Sequence, residues 1–170
     1  MRSIASFAAI ILIGLGGQAA AQNPRTLAIA EHATLGAFLT DQSGMTLYMF
    51  EEDRPEGFRG RSVESDCVGE DCLSRWPPLG GDPVPAAGVG VDASFIGSFV
   101  RPDGKAQATY NGWPLYYFAE DFVPGDINGH DFEEFGGEWY LLSPAGQVIG
   151  NDDENDDRRD DDGDEDDDSN

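Results

Sequence analysis

The side chains best suited to chemistry are few. Cys67 and Cys72 are the only cysteines, with four residues between them. In an exported chain such a pair is expected to form a local disulfide, here clipping the loop ahead of Trp76. The loop is short, so its entropic gain falls below the ~3 kcal/mol expected for a 15-residue closure. A thiol metal site is the competing chemistry. Structural zinc takes four ligands, usually Cys or His. Only Cys67, Cys72, His32 and His130 are available, at spacings that suggest no site. Haem attachment and a thioredoxin-like dithiol both require a two-residue spacing. Met45, Met49 and the histidines are soft or borderline copper donors, although packing in a strand accounts for both methionines. Asp126, Asn128 and Asp131 form a loose calcium candidate. An EF-hand does not fit them, since Asp131 stands where that loop needs Gly and Gly137 where it needs Glu. A polar surface loop is the simpler reading. No Gly-x-Ser-x-Gly, His-Glu-x-x-His, phosphate loop or dinucleotide fingerprint occurs. His32 and His130 fall in unrelated segments, so no catalytic residue and no cofactor are predicted, a divalent cation being the alternative.

The elements that would position these groups are repeated. Gly44-x-x-Leu47-Tyr48-x-Phe50-x-x-Asp53 recurs as Gly112-x-x-Leu115-Tyr116-x-Phe118-x-x-Asp121, and 112 − 44 and 121 − 53 both equal 68. Leu35-Gly36-x-Phe38 and Ile96-Gly97-x-Phe99 precede the copies, and Trp76 and Trp139 close them. The leading pieces are offset by 97 − 36 = 61, which predicts seven additional residues in the second copy. Such a duplication points to one pseudo-symmetric domain, with repeats at about 33–79 and 94–144.

Glycine and proline interrupt the chain too often for long helices. The segments between them are short and rich in β-branched and aromatic residues, as strands are. The expected fold is all-β and mainly antiparallel. Pro102-Asp103-Gly104 reads as a turn, and Asn111-Gly112 as a type I′ hairpin. Together they predict a meander of Ser98–Arg101, Ala106–Tyr110 and Trp113–Ala119. Ser43-Gly44 marks the matching hairpin in the first copy, and the added residues of the second supply its extra turn and strand. Alternation sends Tyr48 and Phe50, like Tyr116 and Phe118, to one face, and Leu47 and Met49, like Leu115 and Tyr117, to the other. Both faces are apolar, so these strands should be covered on both sides. Asp53 and Asp121 follow the strand ends, where a carboxylate accepts backbone N–H bonds and fixes the exit turn; a ligand role is the lesser alternative. Trp139–Leu142 reads as a strand. Trp76-Pro77-Pro78 is an edge or an extended crossing segment, since proline donates no ladder bond. Large rings at repeated positions are expected in the core, and Gly80–Gly90 is expected to be a connecting loop.

The two ends carry different information. Arg2 precedes an apolar run from Ile4 to Leu15, and Ala19-Ala20-Ala21 offers a cleavage site, so residues 1–21 read as a secretory signal peptide. That run is shorter than the ~20 residues of a spanning helix. Residues 151–170 hold thirteen Asp or Glu and two Arg, a net of −11 with no apolar residue. Such a tail is expected to be disordered and solvated. With the chain at −23 and Arg2 at +1, residues 22–150 carry −23 + 11 − 1 = −13. That charge argues against nucleic acid as a partner. A core of 129 residues (150 − 21) suits one domain.

Taken together, these residues resemble the secreted-repeat family of predicted bacterial lipoproteins with a Tyr-x-(Phe/Trp/Tyr)-x-x-Asp motif. The matches are Tyr48 to Asp53 and Tyr116 to Asp121, flanked by Cys72-Leu-Ser-Arg-Trp76-Pro77-Pro78-Leu79, Arg101-x-Asp103-Gly104, Thr109-Tyr110-Asn111-Gly112-x-Pro114 and Pro124-Gly125-Asp126. The resemblance covers roughly residues 27–144 and implies an exported module without known catalytic residues. Three departures stand out. The lipid-bearing Cys is missing, so no lipid anchor is expected. The cysteines are one residue further apart than is usual. Asn128-Gly129-His130-Asp131 replaces a Gly-Gln-Gly loop. The expectation is a periplasmic or secreted, non-catalytic β-module, binding or structural, with an unknown envelope partner. Calcium or copper handling is the alternative.

Overall fold

The computed structural model describes residues 25–55 and 62–150. The segment read as a signal peptide and the acidic tail lie outside the described residues. The first unit opens with β1 (Thr26–His32) and β2 (Gly36–Asp41), an antiparallel hairpin. The chain then turns at Gly44, φ +83°, where the Asp41 carboxylate accepts the Ser43 and Met45 N–H groups at 2.8 and 3.0 Å. It enters β3 (Tyr48–Phe50). A seven-residue helix, α1 (Gly69–Arg75), leads to Trp76, and β4 (Ala86–Ala87) lies parallel to β1. The second unit holds β5 (Ile96–Val100), β6 (Ala106–Tyr110), β7 (Trp113–Pro114), β8 (Phe132–Glu134), β9 (Gly137–Leu142) and β10 (Val148–Ile149). Asn111 and Gly112 both have positive φ, as a type I′ turn requires. The Cys67–Cys72 disulfide is formed and buried, and the Trp76 N–H donates to the Cys72 carbonyl at 2.7 Å.

Three expectations need correction. Leu27↔Asp41 corresponds to Ile96↔Tyr110, and Ala30↔Phe38 to Phe99↔Gln107, since 96 − 27 and 107 − 38 both equal 69. Both units therefore own the first strand, and the second has no extra one. The Gly-x-Phe pieces are not equivalent: Gly36 starts β2, whereas Gly97 lies inside β5. The first unit's hairpin turn, Gln42–Gly44, is one residue longer than Asn111-Gly112, which brings the offset to 68 thereafter. Second, the strand expected over Trp113–Ala119 pairs with β6 over Trp113–Pro114 and through the Leu115 N–H, which donates to the Ala108 carbonyl at 3.0 Å, but no further. Beyond it, Leu79 donates to the Leu115 carbonyl at 2.9 Å and Tyr117 to the Pro77 carbonyl at 2.8 Å. Trp76-Pro77-Pro78 is thus a crossing segment that takes over the pairing. Pro77 has no N–H with which to return the Tyr117 bond, so the Pro78–Tyr116 pair remains an isolated bridge. Gly80–Gly90 is also more than a loop, because it contains β4.

The crossing has a counterpart. β9, which contains Trp139, pairs with β3, matching Tyr48 to Leu141, while Tyr116 bridges Pro78. Pro78 and Leu141 each stand two residues beyond a repeat tryptophan. Each unit therefore supplies the sheet partner of the other's tyrosine strand. At the centre Tyr48 and Tyr116 exchange backbone N–H···O bonds of 2.9 and 3.0 Å. The apolar clusters follow the expected alternation. Leu47, Met49 and Leu115 join Leu27, Leu39, Leu79 and Leu142 on one side. Tyr48, Phe50, Tyr116 and Phe118 join Trp76, Trp139 and the disulfide on the other. The protein is one all-β domain built from two interlocked repeats.

Candidate functional site

The repeat residues converge on the second cluster. Phe50, Trp139, Trp76 and Phe118 form one continuous stack, with centroids 4.2, 3.8 and 4.2 Å apart in that order. The rings alternate between units, so each Phe rests on the other unit's Trp. Each Tyr instead meets its own unit's Trp edge-on, Tyr48 on Trp76 at 5.6 Å and Tyr116 on Trp139 at 5.1 Å. Both indole N–H groups reach Glu134 of β8: Trp76 donates to its carboxylate at 3.0 Å and Trp139 to its carbonyl at 3.1 Å. Gly129 packs against this stack, and a Cβ there would come within 2.8 Å of Trp76. The departing loop thus has a packing role.

The tyrosine hydroxyls also cross between units. Tyr48 donates to Asp121 at 2.6 Å, and Tyr116 donates to Asp53 at 2.7 Å. The opposite oxygen of each carboxylate holds its own exit loop: Asp53 accepts the Asp66 N–H at 2.8 Å and Asp121 the Asn128 N–H at 3.0 Å. This is the turn-fixing role expected of Asp53 and Asp121. The inter-unit phenol bond is the part that spacing along the chain could not reveal.

The two halves differ chemically. Arg101 is buried beside the Tyr116–Asp53 pair, donating to the Ser65 hydroxyl at 3.0 Å, the Cys67 carbonyl at 2.5 Å and the Gln107 side-chain oxygen. Ser65 in turn lies 2.7 Å from the Tyr116 hydroxyl. Through the 69-residue correspondence, Arg101 and Gln107 occupy the places of His32 and Phe38 (101 − 32 = 107 − 38). Sequence reasoning passed over this buried cation. Its signal was Arg101 standing directly before the Pro-Asp-Gly turn.

Burial raises the proton affinity of Asp53, whose pKa is pushed up to about 7 despite the Tyr116 hydroxyl, backbone N–H groups and Arg101, which all oppose the shift. Asp121 moves the same way for the same leading reason. Tyr48 and Tyr116 are both pushed up by burial, with the adjacent carboxylates adding to it. The stability consequence has a definite sign. Between the unfolded carboxyl value near ~3.9 and the folded value, the native state holds a proton that the unfolded state has released. Stability from Asp53 is therefore greatest below the unfolded value and falls as pH rises toward 7, by at most about 4 kcal/mol. Urea midpoints should be higher at pH 5 than at pH 8, and Asp53→Asn should flatten the dependence; a midpoint that rises with pH contradicts this assignment.

The remaining candidates are dispersed. The Asp126 carboxylate accepts the Phe122 and Val123 N–H groups at 2.8 and 3.0 Å, and the Asn128 amide donates to the Glu120 carbonyl and to Asp121. Asp131 sits at φ +57° with its N–H on the Trp139 carbonyl. Among the described residues no group of three or more His, Cys, Asp or Glu gathers as a metal site. Met49 is buried in the core, as packing requires. The histidines are closer than their separation suggests: burial lowers the His130 pKa, Asp131 opposes the shift, and His32 adds to it. The His130 Nδ1 is buried without a hydrogen-bond partner. A cavity of about 260 Å³ is lined by Glu51, Glu52, Asp53, Arg54, Pro55 and Trp113.

The two interlocked units coincide with two segments, residues 31–80 and 97–143, that match a family described as a secreted repeat of unknown function. The chain belongs to this family. No curated protein and no solved structure matches it. The secreted repeat has, among its described residues, no helix long and apolar enough to cross a membrane. The residues repeated between its two units, Tyr48, Phe50, Asp53, Tyr116, Phe118 and Asp121, are all buried.

Proposed function

We propose that the secreted repeat is a non-catalytic binding or structural module of the cell envelope. One observation carries this reading: every polar motif residue is spent inside the domain. Tyr48, Tyr116, Asp53 and Asp121 satisfy one another across the repeats. An acid/base pair would need its proton-exchanging atoms within reach of substrate. Here the phenols are fully buried and Asp53 is 3% exposed. Recognition then belongs to the surface, and the motif supplies a rigid interior beneath it. Calcium or copper handling has weaker support, because the Asp126 carboxylate and the Asn128 amide are spent on the fold of their own loop.

The test is incubation of the purified mature protein with envelope extract, read by mass spectrometry, alongside retention of extract components on the immobilised protein. Saturable retention without a new product is expected. A product whose formation is lost in a folded Asp53→Asn variant would overturn the reading.

A further inference from the structure

We infer that the outer edge of β5 is a docking edge for an extended, cationic peptide segment, taken up as an added strand. The inference rests on the binding-module reading and gives it a place and a ligand class. β1 and β5 correspond residue for residue, yet only β1 is covered on both sides. There, β4 lies along the outer edge, its Ala86 and Gly88 N–H groups donating to the Arg25 and Leu27 carbonyls at 2.7 and 2.8 Å. The same offset of 69 maps Leu27 onto Ile96 in the strand, and Arg25 onto Ser94 in the 3-10 turn (Ala93–Phe95) that precedes it. In the second unit the chain beyond Leu142 turns back instead, and β10 pairs with β9. Among the described residues β5 therefore ends its sheet, bonded to β6 alone.

The vacant edge is ready for pairing. Asn111 donates to the Phe95 carbonyl and Arg101 to the Lys105 carbonyl, so odd-numbered residues of β5 face β6. Antiparallel alternation then turns the Ile96 and Ser98 carbonyls and the Ser98 and Val100 N–H groups outward. The cavity of about 210 Å³ lined by Ser94–Gly97, Thr109, Asn111 and Gly112 lies on the β6 side of the strand and leaves this outer edge open. Natural edges are usually blunted by charge or proline. β5 reads Ile-Gly-Ser-Phe-Val, with neither, and Val100 is 71% exposed.

The covered edge also describes the guest. Ala86, Ala87 and Gly88 are small, and a Cβ on Gly88 would lie 2.5 Å from the Leu27 carbonyl oxygen. A guest on β5 thus presents two N–H groups two residues apart, on a segment of small residues ending in glycine. Charge selects among such segments. Residues 22–150 carry −13, which repels a second copy and attracts a basic chain. Strand addition of this type draws affinity from main-chain bonds and specificity from side-chain size.

The probe is an acetylated, amidated pentapeptide Lys-Ala-Ala-Gly-Lys, titrated into mature full-length protein labelled with nitrogen-15. Saturable amide shifts centred on residues 94–100 are expected, with a dissociation constant below about 1 mM. N-methylation of the probe's first Ala and its Gly, replacement of its lysines by glutamate, and Ser98→Pro should each weaken binding at least ten-fold. The N-methylated probe keeps the test decisive if Ser98→Pro fails to fold. No saturation, shifts centred elsewhere, indifference to N-methylation, or self-association through β5 would each overturn the proposal. Retention of other extract components would still stand in those cases, so the two readings fail separately.

Discussion

Residues 22–90 and 91–150, expressed separately, should each be unfolded, and should form a folded 1:1 complex when mixed. Each fragment lacks half of every central pairing. The first would keep β3 without β9, its partner from Tyr48↔Leu141 to Phe50↔Trp139. The second would keep Leu115 and Tyr117 without the Leu79 and Pro77 bonds that hold them. Each would also expose two rings of a four-ring stack and leave two buried carboxyl–phenol bonds unmade. A chain of this length is near the limit at which a core can support itself, and half of this core is missing. Amide dispersion and cooperative urea unfolding decide the matter. A cooperative transition in either fragment alone would contradict the interlocked architecture.

Trp139→Ala should cost about 3–5 kcal/mol, the range for removing a buried aromatic ring. Against a typical total of ~5–15 kcal/mol, that is much of the stability of the domain. Trp139 is fully buried, stacks on Phe50 and Trp76, and receives the edge of Tyr116. Its indole N–H also bonds the Glu134 carbonyl. Trp76→Ala should cost a similar amount. Because the two rings lie 3.8 Å apart and nearly parallel, the double variant should cost less than the sum. Denaturant midpoints of the two single variants and the double close the cycle. A loss under about 1 kcal/mol for either single variant would show that the stack is not what holds the repeats together.

Local chemistry carried most of the fold into the sequence. The 68-residue repeat, the Asn111-Gly112 turn and the two-residue alternation around Tyr48 and Tyr116 each describe neighbours along the chain, and each appears as expected. The class, the two core faces and the Trp139–Leu142 strand follow from them. Pairing between distant segments was hidden for a physical reason. A strand's side-chain pattern tells which face it buries, not which strand lies beside it. Trp76-Pro77-Pro78 and Trp139–Leu142 therefore read as closing segments of their own units, although each serves the other. The Gly-x-Phe pieces misled because three residues matched across a turn in one copy and within a strand in the other. Asp53 and Asp121 were legible as turn-fixing carboxylates, since Asp66 and Asn128 are sequence-local partners. Their tyrosines come from the opposite repeat, and the Arg101–Gln107–Ser65 group is assembled from segments with no shared pattern.

The exchange of segments about Tyr48 and Tyr116 has the form of two identical chains clasped around a dyad. Joined in one polypeptide, the partners no longer have to share a sequence. The places held by His32 and Phe38 in one half are filled by a buried guanidinium and amide in the other, and one outer strand is covered while its twin is not. Covalent linkage thus lets a symmetric scaffold carry two unlike flanks, one free to specialise while the other keeps the framework closed.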